Sequence, residues 1–292
     1  MFLWLVFFAG LVIVERPVLE SRKSIIMSNR KGFTLIELLV VIAIIALLMA
    51  ILMPALKRVR NQAKTVICQS NVHQWGSIFA MYTDDNDGYF PAGYHQGGHV
   101  AQWYWAFQQY YKDKKIRFCP MAMRNRVEKA AGKAGSASWA HLAGGTFYAW
   151  GQRQGQRWSG GSYAVNSWAT NPPDEYGTSY GVENFWRTPH VKGVNNIPLF
   201  LDSMWLDGWP RHQDEPPQYM DHMSNSMTRY CINRHHGGTN SVFLDFSIRK
   251  VEPKELWKLK WHRNFDTNGP WTKAGGVAPE DWPEWMRNFI NF

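Results

Sequence analysis

Hydrophobic positions are distributed unevenly along this chain. From Phe33 to Met53 they form a run of 21 residues broken only by Thr34 and Glu37. At about 1.5 Å per residue, a helix of that length extends roughly 31 Å, enough to cross the hydrocarbon core of a bilayer. Pro54 removes one helix hydrogen bond, which predicts an interruption or kink. Beyond it the pattern takes on a helical period. Cys68, Val72, Trp75, Phe79 and Tyr82 form one apolar stripe, with Lys64, Gln69, Asn71, Gln74 and Ser77 opposite it. The pattern predicts one helix from Phe33 to about Tyr82, membrane-spanning over 33–53 and amphipathic over 54–82. The run Thr83-Asp84-Asp85-Asn86-Asp87-Gly88 ends it, because Asp, Asn and Gly satisfy turns locally and tolerate positive φ.

Past this turn the periodicity weakens. Residues 93–161 are rich in Gly, Ala, Gln and aromatics, with a short helix expected at Phe107–Tyr111 and a flexible loop over 128–145. Strand patterns follow at 161–168, at the apolar run Ile197–Leu201, and most clearly at Ser241–Val251. The tail from Pro253 adds Trp257, Trp261, Trp271, Trp282 and Trp285, with a short capping helix expected near Lys254–Lys260. Together these predict an α+β fold: a long N-terminal helix packed on a small antiparallel sheet, in a loop-rich head spanning 83–292. A second apolar run, at residues 2–14, is too short to span a bilayer and suits a signal-type or interfacial stretch.

Glu37 is the anomaly of the apolar run, since a carboxylate inside a membrane helix is costly and by default points to function. Read with Arg30-Lys31-Gly32 before it and Phe33-Thr34-Leu35 beside it, the segment resembles the N-terminus of type IV pilins and of type II secretion pseudopilins. That resemblance implies cleavage by a prepilin peptidase after the Lys31-Gly32 pair and N-methylation of Phe33. It also implies pairing of Glu37 with the terminal amine of a neighbouring subunit. Residues 1–32 are then a leader. Met27 offers a start that leaves only MSNRKG, so residues 1–26 are either an upstream extension or an unusually long leader. The resemblance further implies a lollipop-shaped subunit in the inner membrane, with its N-terminus cytoplasmic and its head periplasmic. Its partners are other pilin or pseudopilin subunits, the inner-membrane assembly platform and the lipid bilayer, and its destination is a periplasmic or surface fibre. Charge does not orient the span independently, because Lys57, Arg58, Arg60 and Lys64 follow it as closely as basic residues precede it.

The formal net charge is +9, spread along the chain without a basic patch or motif, so no nucleic-acid partner is expected. The stretch Met81–Pro91 resembles the point where the major pseudopilin leaves its helix, in a family that often holds calcium in a later loop. An EF-hand with Gly88 sixth would need acidic residues where Thr83 and Tyr94 stand, so none is present. No cofactor is expected beyond a looser calcium site that could use Asp84, Asp85 or Asp87. Of three cysteines, Cys68 and Cys119 are candidates for a disulfide that staples head to helix, since an exported head meets an oxidising compartment. The absence of CxxC spacing argues against thiolate-bound zinc.

His212, His222, His235 and His236 lie close in sequence to Asp202, Asp207, Asp214 and Asp221, yet no zinc-hydrolase spacing occurs, nor any nucleophile elbow or phosphate loop. Those side chains read as surface or hydrogen-bonding groups, and no enzymatic activity is expected. His235, His236, Asp245 and the strand to Val251 resemble the His-to-Asp-Gly ending of large prepilin-like proteins. Phe246 replaces the Gly, which predicts a different turn. Sixteen tryptophans either build the core or line a capture surface. The first choice suits a structural fibre subunit. The second suits a membrane-tethered or fibre-tip module that binds polysaccharide or a secreted protein, with the Trp261–Trp285 tail as its recognition surface.

Overall fold

Helix α1 runs from Leu35 to Asp85. It passes through Pro54 without ending, so the missing N–H costs a bond but not the helix. The computed structural model describes residues 33–93, 102–123, 139–154, 157–174 and 181–292. It divides into two units, one ending at Leu52 and one beginning at Met53.

The described part of the first unit is the start of α1. Its side chains are exposed throughout, and the helix is long and apolar enough there to cross a membrane.

The second unit holds the remainder. Cys68, Val72, Trp75 and Phe79 are fully buried, so the stripe read from the sequence is the docking face of α1. Trp75 meets Trp103 edge to face at 4.9 Å and donates its indole N–H to the Ile116 carbonyl at 2.9 Å. The short helix α2 spans Trp103–Ala106, earlier than the expected Phe107–Tyr111, because the aromatic ring of Trp103 anchors it against Trp75.

Three strands, β1 (Trp139–Leu142), β2 (Trp150–Gln154) and β3 (Arg157–Gly161), form an antiparallel sheet in chain order. The loop expected over 128–145 is therefore corrected at 139–142, where backbone pairing with β2 overrides a weak local pattern; residues 128–138 lie outside the described ones. The main sheet is built from β4 (Tyr163–Asn166), β5 (Pro198–Asp202), β6 (Asp207–Gly208), β7 (Thr239–Phe243) and β8 (Ile248–Val251), in the order β6-β4-β5-β7-β8. Its pairs are antiparallel except for the two-residue parallel edge between β4 and β6. Phe200 and Asp202 share the face of β5 that meets α1: the Phe200 ring lies 5.1 Å from Trp75, and the Asp202 carboxylate 3.7 Å from the Cys68 sulfur. A Cβ at Gly76 would stand 3.3 Å from the Phe246 carbonyl and 3.5 Å from Val242, so glycine there permits the close approach of helix to sheet.

Ser241–Val251, expected as one strand, is a hairpin. Phe246 takes a left-handed conformation in its turn, φ 62°, although glycine is the residue that adopts it without strain. The cost of that conformation for a residue with a Cβ is about 1–2 kcal/mol, held by the ladder on either side. The expected capping helix is a 3-10 turn at Lys254–Lys258. The tail after it belongs to the same core: Trp257, Trp261 and Trp282 are buried, and Trp261 lies 4.9 Å from Tyr230. No tryptophan of described burial is among the exposed large hydrophobic residues, so these indoles build the core.

Candidate functional site

Two places in the chain gather polar chemistry. The first is the start of α1. The Glu37 carboxylate accepts the backbone N–H of Thr34 at 2.8 Å and its hydroxyl at 2.7 Å, while the Thr34 hydroxyl accepts the Glu37 N–H at 3.2 Å. This is a reciprocal capping box, which satisfies donors that a helix N-terminus leaves unpaired. An apolar helix therefore does have a local reason to hold a Glu at this position. Phe33 is exposed beside it, and Lys31 and Gly32 lie outside the described residues.

The second place is buried in the head. Cys68, Cys119, Asp202 and His235 each turn one donor atom inward, and these atoms all lie within 4.8 Å of one another. Cys68 comes from the stripe of α1 and Asp202 from the end of β5. Cys119 follows a 3-10 turn whose carbonyls are gripped from α1, Ile116 by Trp75 and Phe118 by Asn71 at 3.1 Å. His235 enters from the turn before β7. There a Cβ at Gly238 would stand 2.0 Å from the Val251 carbonyl, so only glycine lets the turn close on β8. Asp202 Oδ2 is 3.2 Å from His235 Nε2, which is 3.4 Å from Cys119 Sγ.

Outer partners hold each member in place. His235 Nδ1 meets the Thr65 hydroxyl at 3.1 Å, and Asp202 Oδ2 accepts the Asn240 backbone N–H at 2.9 Å. Arg234 is wholly buried. Its guanidinium donates to Asp202 at 2.8 Å and to the carbonyls of Thr146, Ser162, Gly145 and Ser203, so all its N–H groups are used. Burial opposes ionisation of Asp202, but His235 and Arg234 outweigh it and hold the carboxyl down at about 2. Burial likewise opposes the His235 imidazolium, yet the Asp202 charge and hydrogen bond raise it to about 9. Burial pushes the Cys68 thiol up.

The structure brings Cys68 and Cys119 together as free, buried thiols. Asp202 and His235, read from sequence as surface or hydrogen-bonding groups, are hydrogen-bonding groups of the core and not of the surface. The other members of that set are spread apart in structural roles. Asp207 pairs with Arg229 at 3.2 Å, Asp214 accepts the backbone N–H groups of Arg211 and Met227, and Asp221 accepts Thr146. His212 packs on Phe265, and His222 stacks on Tyr219. His236 is exposed with φ 46°, and Asp245 accepts the N–H and hydroxyl of Ser247 in the hairpin turn, so His235 and Asp245 serve different places. Asp84, Asp85 and Asp87 are exposed at the end of α1, where Asp85 accepts the Tyr110 hydroxyl at 2.9 Å.

Residues 27–53 match the prokaryotic N-terminal methylation motif. Over 63 residues the chain is 46% identical to the type IV wide pilus major component PilA4 of Thermus thermophilus. That stretch is 22% of this chain and 48% of the relative, so the chain spans about half the length of the curated relative it matches. No solved structure matches.

Proposed function

We propose that this chain, whose N-terminal segment is that of a type IV pilin-like protein, is a structural subunit of a pilus or pseudopilus fibre. The observation that carries the reading is the methylation motif over residues 27–53, which contains Gly32, Phe33 and Glu37 in the order the processing chemistry requires. Prepilin peptidase removes the leader after Gly32, and the new amine of Phe33 is methylated. The apolar first part of α1 holds the subunit in the inner membrane, head outward, until an assembly platform adds it to a fibre. There the exposed apolar side chains of Phe33–Met53 find neighbouring helices, and Glu37 exchanges its Thr34 partner for a neighbour's amine. A buried aromatic core supports a scaffold in preference to a capture module, since the tryptophans are spent on folding. The test is intact-mass measurement of protein extracted from membranes of its own host. A chain beginning at Phe33 and carrying one added methyl is expected; a mature terminus at any other residue overturns the reading.

A further inference from the structure

We propose that Cys68, Cys119, Asp202 and His235, gathered from separate elements and so without the CxxC spacing whose absence argued against thiolate-bound zinc, form a structural zinc site that locks α1 to the head. The argument rests on the geometry of the cluster and stands apart from the fibre reading.

The first support is spacing. Zinc ligands lie about 2.0–2.3 Å from the ion, and at a tetrahedral angle such donors stand roughly 3.3–3.8 Å from one another. Three of the six donor pairs already stand near that spacing, at 3.2 Å for Asp202 to His235, 3.4 Å for Cys119 to His235 and 3.7 Å for Cys68 to Asp202, and all six lie within 4.8 Å, so the donors would draw in around the ion. Two thiols, an imidazole and a carboxylate are a donor set suited to zinc by softness and by number. Four protein ligands close the shell, which is the pattern of a structural site and leaves no position for substrate.

Orientation is the second support. The Thr65 hydroxyl sits at His235 Nδ1 and leaves Nε2 aimed into the cluster, the arrangement that fixes a metal-binding tautomer. Asp202 is steered in the same way by Arg234 and the Asn240 N–H, and each carboxylate oxygen keeps a lone pair for the ion. Formal charge also closes. Two thiolates and a carboxylate carry three negative charges, and a divalent ion with Arg234 carries three positive ones. Binding takes both sulfurs as thiolates and His235 as neutral imidazole, so the thiol protons and the His235 Nε2 proton leave to solvent.

Burial excludes a nucleophilic cysteine as the purpose of the cluster. Cys68 and Cys119 are completely inaccessible, so no substrate reaches either sulfur, whereas an ion bound as the head folds need not pass through a formed wall. The ligands come from α1, from the loop ahead of β1, from β5 and from the turn before β7. One ion would therefore tie the docked half of the helix to three parts of the head.

The full chain, extracted in detergent without chelator, should be assayed by elemental mass spectrometry. About one zinc per chain is expected, falling at least tenfold in Cys119→Ser and His235→Ala and unchanged in Cys231→Ala, whose buried thiol lies elsewhere. Wild-type chain reloaded with cobalt(II) should show the absorption of tetrahedral cobalt with thiolate charge transfer, a readout that needs no variant to fold. The proposal is overturned by a metal-free wild type that gives no such spectrum. Zinc retained in full by Cys119→Ser overturns it too, as does a native mass showing Cys68 and Cys119 joined in a disulfide.

Discussion

The docking face of α1 can be tested at Trp75. This side chain is fully buried and lies within 5.1 Å, ring centre to ring centre, of Trp103, Tyr111 and Phe200. Replacing it by alanine removes a whole indole from a site walled on several sides by other large rings, which limits collapse. Such truncations cost about 3–5 kcal/mol. The Ile116 carbonyl also loses its donor, a further loss of about 1 kcal/mol. The neighbouring Gln74 points the other way, is exposed, and among the described residues bonds the Ser70 carbonyl at 3.3 Å, so Gln74→Ala should change stability by no more than about 0.5 kcal/mol. Thermal unfolding of the detergent-solubilised full chain, followed by near-ultraviolet circular dichroism, separates the two. At about 2–4 °C per kcal/mol for a unit of this size, Trp75→Ala should melt roughly 8–24 °C lower and Gln74→Ala within about 2 °C of the parent. Similar small shifts for both substitutions would mean that the stripe is not a docking face, and the helical-period argument would fail with it.

Glu37→Gln keeps an acceptor for the Thr34 N–H but loses the charge, whereas Thr34→Ala breaks the capping box and keeps the charge. If pairing with a neighbour's amine drives assembly, sheared fibre should fall several-fold in the first variant and stay near the parental level in the second; the reverse order would reduce Glu37 to a helix cap. A pH effect is expected from His262, which packs 4.8 Å from Trp168 and whose pKa is held at about 4 by burial and by His212, Lys260 and Arg211. The folded chain keeps this ring neutral, while the unfolded chain takes up a proton below about 6.5, so stability falls as pH drops from about 6.5 towards about 4. His262→Gln should lose less over that interval in the same melting assay, and parallel pH profiles for the two proteins would refute the assignment.

The reach of the sequence can be judged from particular residues. The apolar run from Phe33 and the stripe through Cys68, Val72, Trp75 and Phe79 were legible because helical period is a local property. The strands at 163–166 and 198–202 showed because their signals are local too, alternation in the first and a short apolar run between breakers in the second. Phe246 shows where a local rule overreached: the ladder between β7 and β8 imposes a positive φ that the residue itself does not favour.

The buried cluster was not legible in this way. Its four members sit on separate elements with no recurrent spacing. The available hints were two cysteines in apolar settings and a histidine pair ahead of a strand. Which of those histidines turns inward is decided by the left-handed conformation of His236 and the close passage of Gly238 beneath β8. Asp202 is held ionised in the core because Arg234 is threaded among backbone carbonyls from three separate segments. What the sequence by itself determined was therefore the membrane-length helix with its N-terminal methylation motif and the helix face that would dock. Tertiary structure alone decided that the aromatic tail joins the core and that a carboxylate and an imidazole meet Cys68 and Cys119, the pair the sequence offered as a disulfide and the structure holds as free thiols. The physical reason is that hydrophobic period is written in neighbouring residues, whereas convergence depends on the register and packing of elements far apart in the chain.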